Sequence, residues 1–281
     1  MPRLDAWLTT YCHVEDTAYS RAVGRITLIA AVARAFQPGC KMDTVTILEG
    51  LQGWNKSTVW RVLASDAWFT DALPDLHTKD AAQALRGKWF VEFAELDNFK
   101  RAEIETIKRF ISATQDHYRP AYGRRVVTFP RSNVFVGTTN KWAYFLDETG
   151  NRRYLPVRVQ APCDLEALHR DRDQLWAEAT HAYTNGTRWY IDDPDLLRQA
   201  TVEQAERIEE DPWGEPVRQH LDTRKAKTAT YKGETVEYVT TGELLDLALH
   251  MDRTHWNAGT SRRIAAILTN GVSLSQTIRL Y

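Results

Sequence analysis

Residues 43–64 constrain the fold of this 281-residue chain more tightly than any other stretch. Asp43-Thr44-Val45-Thr46-Ile47-Leu48 is a short β-branched run, the pattern of a buried strand. Glu49-Gly50-Leu51-Gln52-Gly53-Trp54-Asn55-Lys56-Ser57-Thr58 follows, and the chain then reads as helix from Ser57 to about Ala64. A glycine, four residues and then Gly-Lys-Ser/Thr, set between strand and helix, is the phosphate-loop pattern. Gly50, Lys56 and Ser57 occupy its fixed positions, and Asn55 stands where the pattern has glycine. Backbone N–H groups of such a loop converge on phosphates at a helix N-terminus, whose dipole favours negative charge. Lys56 is expected to reach the β- and γ-phosphates of ATP, and the Ser57 hydroxyl to bind Mg2+. Gly50, Gly53, Asn55 and Thr58 complete the expected nucleotide-binding set. Asn is the non-glycine residue that most readily takes positive φ, so the loop can close.

Around this loop, strands and helices alternate. Residues 17–36 read as a helix on the spacing of Val23, Ile26, Ile29, Ala30 and Ala33, and Pro38-Gly39 stops it. Helices are expected near 80–85, 102–111 and 168–184, and strands near 88–93, 125–129, 133–137 and 155–159. That order implies an α/β core with a parallel sheet over about 42–160. The expected organisation is an N-terminal helical segment (1–41), a core (42–190), an acidic helical linker (191–222) and a small C-terminal module (223–281). A winged-helix module, with Arg262 and Arg263 on phosphates, a helical lid and a truncated tail all fit the last segment.

A second strand ending in carboxylates is what a phosphate loop needs beside it, to hold Mg2+ and polarise water. In Trp89-Phe90-Val91-Glu92-Phe93-Ala94-Glu95-Leu96-Asp97, Glu95 and Asp97 follow the apolar run and are the expected metal-binding pair, with Glu95 catalytic. Glu92 lies inside the strand and ranks below them. Asn140, at the tip of the 133–137 strand, is the expected group that orients water or touches the γ-phosphate. Arg152 and Arg153 are candidates for an arginine supplied to a neighbouring subunit's site.

Charge decides what the chain can bind. The formal net charge is −1, which excludes a protein basic all over. Residues 100–131 nevertheless carry eight Lys/Arg against three Asp/Glu, while 191–222 carry ten Asp/Glu against three Arg. In the basic stretch Lys108, Arg119, Tyr122, Arg124, Arg125 and Arg131 are the expected DNA contacts, arginines on phosphates and aromatics on bases. Cys12, Cys40 and Cys163 show no ligand or disulfide spacing and read as buried free thiols of a reducing compartment. The longest apolar stretch, 26–33, is too short to span a bilayer, and no signal peptide opens the chain, so a cytoplasmic protein without membrane contact is expected.

The motifs "LEGLQGWNKST", "LRGKWFVEFAELD", "IKRFIS", "YRPAYGRRVVTFPR", "VFVGTTN" and "GNRRYLPVRV", in that order, resemble the virulence-associated protein E (VapE/VirE) family. The resemblance runs from about 23 to 213. That family belongs with the superfamily 3-like helicases and primase-helicases of phages, plasmids and genomic islands. The resemblance implies a P-loop ATPase of AAA+-like, three-layer α/β architecture that forms rings, most often hexamers, and translocates on or unwinds DNA. It also implies a separate primase or replication initiator as partner, because only about 40 residues precede the loop. By the same resemblance Lys56 and Ser57 match Walker A, Glu95 and Asp97 Walker B, Asn140 sensor 1, and Arg152 and Arg153 the arginine-finger region. Asn55 departs from the family's glycine. A non-catalytic or weakly catalytic DNA-binding or assembly protein with a degenerate Walker A therefore stands as the alternative to the motor. A small-molecule kinase fits the paired arginines and the basic aromatic stretch less well.

Overall fold

The computed structural model describes residues 3–74, 76, 78–94, 101–119, 123–145, 151–225, 227–231, 234–270 and 278–280. The chain forms two compact units, Met1–Ile208 and Glu209–Tyr281. The first opens with α1 (Arg3–Cys12) and α2 (Ala18–Phe36). Thr17 and Ser20 form a reciprocal capping box that starts α2. Then come β1 (Val45–Glu49), α3 (Lys56–Ala64), β2 (Phe69–Thr70), α4 (Lys79–Ala84), β3 (Phe90–Phe93) and α5 (Arg101–Ser112). β4 (Gln115–Tyr118), β5 (Val127–Pro130), β6 (Val134–Thr139), β7 (Tyr154–Arg158), α6 (Leu165–Thr184) and α7 (Pro194–Ala205) complete it.

Five strands form one parallel sheet in the order β2-β3-β6-β1-β7. β1 is central and buried along its whole length, which is why it reads as a continuous apolar run. Side chains alternate across the sheet. Leu48, Phe90, Val134, Val136, Leu155 and Val157 join Trp7, Leu28, Ile29, Trp60 and Leu175 from α1, α2, α3 and α6 in one core cluster. Val45, Ile47, Val91, Phe93 and Phe135 join Ile107 and Ile111 of α5 in a second. The unit is thus an α/β sandwich with helices on both faces. Much of the tryptophan content lies on the first face. Trp7 and Trp60 are fully buried with ring centroids 6.0 Å apart, and Trp89 lies 4.5 Å from Trp176.

Three features depart from the expectations. The 125–129 run is not a core strand: β5 pairs with β4 as an antiparallel hairpin apart from the main sheet. Its residues alternate between half-buried and exposed, so neither face is packed as a sheet interior requires. α1 falls inside the helical segment expected over 1–41, with Leu4, Trp7, Leu8 and Tyr11 buried at helical spacing, whereas β2 was not expected because two residues carry no periodicity. The acid-rich stretch is not a linker, because the division between units falls after Ile208. Gln204, just inside the end of α7, donates to the Tyr154 carbonyl of β7 at 2.8 Å and holds this helix against the sheet.

The second unit contains α8 (Gly214–Thr223), the antiparallel pair β8 (Lys227–Tyr231) and β9 (Glu234–Val239), α9 (Thr241–Glu243), α10 (Ala258–Asn270) and β10 (Ile278–Leu280), parallel to β9. Val217, Val239, Leu244, Leu245, Ile264, Ile267 and Leu268 form its core. Arg263 is spent within this unit, paired to Asp211 at 2.7 Å and lying 3.9 Å from the Trp213 ring, so of the expected arginine pair Arg262 is the exposed one. Among the described residues no helix is long and apolar enough to cross a membrane.

Candidate functional site

The C-terminal ends of β1, β3 and β6 point the same way because the strands are parallel, and the candidate site lies where they end. The loop leaving β1 needs unusual backbone. At Gly50 φ is +151°, and a Cβ there would meet the Trp54 ring at 3.0 Å and the Val159 carbonyl at 3.1 Å. Gly53 has φ +82°. Asn55 adopts φ 61° and ψ 23°, the left-handed conformation, and α3 begins at the next residue. Asparagine meets here the requirement that glycine meets in the usual pattern. Replacing Asn55 with Gly is expected to change stability by less than about 1 kcal/mol, whereas Asn55→Val should cost roughly 1–3 kcal/mol. Urea denaturation of the two variants checks this, and equal effects would contradict it.

Lys56 follows at once and is 6% exposed. Its ammonium donates to the carbonyls of Gly50 (2.8 Å) and Leu51 (2.7 Å) and to Asn140 Oδ1 (2.9 Å). Burial pushes this ammonium below the ordinary lysine value, with Cys163 and Glu92 opposing. The Lys56–Asn140 contact brings together two residues 84 positions apart. The Gly50 N–H donates to the Thr139 carbonyl at 3.3 Å, which ties the loop to the end of β6.

Ser57, next along α3, meets a different set of partners. Its hydroxyl donates to Glu92 Oε1 at 2.7 Å, and Thr138 Oγ1 donates to the same oxygen at 2.5 Å. The register explains the meeting. Glu92 of β3 is opposite Val136 of β6, and Thr138, two residues on, shares that face. Glu92 is 1% exposed, and its second oxygen has no hydrogen-bond partner. Burial pushes its carboxyl above the ordinary glutamate value, against the hydrogen bonds from Thr138 and Ser57. A buried carboxylate with one oxygen unpaired beside a serine hydroxyl offers the hard oxygen ligands that Mg2+ prefers.

Glu92, ranked low on sequence because it lies within the strand, is therefore the carboxylate that meets Ser57. Its signal was the single acid in an apolar run of alternating residues. Glu95, Asp97 and Tyr122 lie outside the described residues. Arg152 is exposed, while Arg153 donates to Ser112 Oγ at 3.0 Å. Arg119, Arg124 and Arg125 are exposed around the β4–β5 hairpin. Two of the expected DNA contacts are not surface groups. Arg131 is 4% exposed, gripping Asp116 through Nε and Nη2 and lying 4.5 Å from the Phe110 ring, so it anchors the base of the hairpin. Lys108 is 5% exposed.

One group escaped the sequence reading altogether. Glu49, the last residue of β1, is held by Arg207 through two hydrogen bonds of 2.9 Å and accepts the Tyr144 hydroxyl at 2.7 Å. The Arg207 carbonyl accepts from the amides of Tyr144 and Phe145. The segment after Asn140 and the start of the loop are thus clamped by one residue. Arg207 sits in an acid-rich stretch with no motif to mark it.

The fold and the site define an α/β domain whose parallel sheet carries a lysine, a serine, an asparagine and a buried glutamate at one edge. The model of the virulence-associated protein E-like domain matches residues 1–210, and the chain belongs to that family. Two solved structures are similar, and the first of them supports the fold. The apo structure of the NrS-1 C-terminal region (305-718) is 13% identical with a TM-score of 0.50, covering 79% of this chain and 54% of that one. The A form apo structure of the same region is 12% identical with a TM-score of 0.48, covering 78% and 55%. The chain spans about half the length of these relatives. No curated protein matches it.

Proposed function

We propose that this chain is the P-loop ATPase core of an AAA+/superfamily 3-type DNA helicase or translocase of phage, prophage or plasmid replication. The observation that carries the reading is the convergence of Lys56 with Asn140 and of Ser57 with Glu92 at one sheet edge. On this reading ATP lays its β- and γ-phosphates on the loop 50–55. The Lys56 ammonium leaves the loop carbonyls to meet them. Ser57 and the unpaired Glu92 oxygen would hold Mg2+, which supplies charge neutralisation across the β- and γ-phosphates when bound. Asn140, freed from Lys56, orients the attacking water. Arg152, the exposed member of its pair, is the proposed finger to a neighbouring subunit in a ring. Calorimetry with ATP and Mg2+ tests the proposal: binding should be detected, with hydrolysis stimulated by single-stranded DNA. No ATP binding would overturn it.

The β4–β5 hairpin, between the Glu92 strand and the Asn140 strand, is the proposed DNA contact through Arg119, Arg124 and Arg125. Arg124→Ala/Arg125→Ala together should weaken single-stranded DNA binding and lower the salt slope of log Kd by roughly 1–1.5, about 0.7 per phosphate contact. A fluorescence-anisotropy salt titration reads this. An unchanged slope would remove the hairpin from the interface.

One observation favours a second reading, a weakly catalytic assembly protein. The loop cation is already satisfied by the loop's own carbonyls, and Asn55 adds side-chain bulk at the phosphate side. A large rise in ATPase rate for Asn55→Gly would support that reading, and an unchanged rate would count against it.

A further inference from the structure

Past the end of α1 the chain runs antiparallel to the segment that follows β7. Val14 bridges Val159, the Gln160 N–H donates to the His13 carbonyl at 3.3 Å, and the Asp164 N–H donates to the Tyr11 carbonyl at 2.8 Å. These contacts set Cys12, the last residue of α1, beside Cys163, which precedes the Asp164 cap of α6. Both cysteines belong to one core cluster, Cys12 fully buried and Cys163 6% exposed. The Cys12 thiol donates to the Cys163 sulfur. That donation draws Cys163 below the ordinary thiol value against its burial, and the Lys56 ammonium adds to the effect. The same contact, together with burial, pushes Cys12 well above the ordinary value. Cys163 therefore carries the thiolate character, while Cys12 keeps its proton. The third thiol, Cys40, is 8% exposed, and burial pushes it up against the pull of Arg34. The Cys163 N–H donates to the Trp54 carbonyl at 3.2 Å, which fastens the pair to the loop after β1.

We propose that Cys163 is an oxidation site for hydrogen peroxide and that Cys12 resolves it, joining the end of α1 to the segment that holds the loop. In the first step the Cys163 thiolate attacks one peroxide oxygen. An S–O bond forms, the O–O bond breaks, and the departing hydroxide takes a proton to become water, leaving a sulfenic acid. In the second step the Cys12 sulfur attacks the Cys163 sulfur. The S–S bond forms, the S–O bond breaks, and the hydroxide leaves with the Cys12 proton as a second water. Both sulfurs are oxidised, and both peroxide oxygens are reduced. Peroxide is close to water in size, which suits a sulfur with so little exposure. The product removes the thiolate charge near Lys56 and ties α1 covalently to the residue bonded to Trp54. This proposal stands whatever the loop binds.

The test treats the folded wild-type chain with hydrogen peroxide, then alkylates the remaining thiols in denaturant and maps the peptides by mass spectrometry. The expected product is a Cys12–Cys163 disulfide that dithiothreitol reverses. It should form roughly tenfold faster or more than any oxidation of Cys40, although the two thiols are almost equally exposed. In Cys12→Ser, Cys163 should stop at the sulfenic acid and be captured by dimedone. In Cys163→Ser, Cys12 should stay reduced. Lys56→Met should slow the reaction severalfold, because the charge that favours the Cys163 thiolate is gone. Cys40 reacting as fast as Cys163 would overturn the proposal, as would a disulfide that forms only in urea. Dimedone capture at Cys12 in Cys163→Ser would overturn the order of attack.

Discussion

Glu92→Gln should leave ATP binding within a fewfold of wild type and lower hydrolysis by a factor on the order of 10² or more. Glutamine keeps the shape and still accepts from Ser57 and Thr138, but it cannot carry the negative charge that a metal or a water proton requires. Lys56→Ala should behave in the opposite way, losing affinity first, because the cation that meets the phosphates is gone. The same Glu92→Gln variant should be more stable at neutral pH. Burial raises the folded-state pKa of Glu92, so folding disfavours its charged form. The folded state then holds more protons than the unfolded state between about pH 4.3, the ordinary glutamate value, and the raised one. Stability falls as pH rises through that window, and the variant lacks this loss. Thermal melts of both proteins across pH 4–8 together with an ATPase assay measure the two effects. Unchanged turnover in Glu92→Gln, with turnover lost in Glu95→Gln or Asp97→Asn, would return the catalytic role to the pair expected from sequence.

Arg207→Ala should destabilise the first unit by about 3–5 kcal/mol, a large part of a domain's total of roughly 5–15 kcal/mol. Arg207 and Glu49 side chains are each 2% exposed and meet through two 2.9 Å hydrogen bonds. Truncating the arginine leaves the Glu49 charge buried with only Tyr144 for company. Glu49 keeps the guanidinium firmly charged despite the burial that would otherwise lower its pKa. The double variant Arg207→Met/Glu49→Gln should lose less than the sum of the two single variants, since no unpaired charge remains. Urea denaturation followed by fluorescence provides the comparison. A single-variant loss below about 1 kcal/mol would mean that water reaches the pair.

The layered α/β architecture was legible because its signals are local. β1 is a continuous apolar run, and α2 carries both its helical spacing and its Thr17 cap. The loop was legible for the same reason, since Gly50, Lys56 and Ser57 lie within eight residues. What the sequence hid depends on register and on distance along the chain. Glu92 counts as an interior strand residue until β6 brings Thr138 alongside and α3 brings Ser57 over it. Arg131 reads as one of a run of surface arginines until the hairpin folds Asp116 onto it. The Arg207–Glu49 pair spans 158 positions and belongs to no periodic pattern. The division after Ile208 was missed because composition marks the acid-rich stretch as one block, whereas packing of α7 divides it.

The three hydrogen bonds of the Lys56 ammonium have a consequence for selectivity. A lysine ammonium has three N–H groups, and here all three are engaged, two by loop carbonyls and one by Asn140. An anion that offers one acceptor returns less than the ammonium gives up by turning away. A chain of linked phosphates can replace all three contacts and draw on the loop amides as well. On the proposed reading the resting loop would set a threshold: chloride, a single acceptor, would fall short of it, while a polyphosphate would clear it.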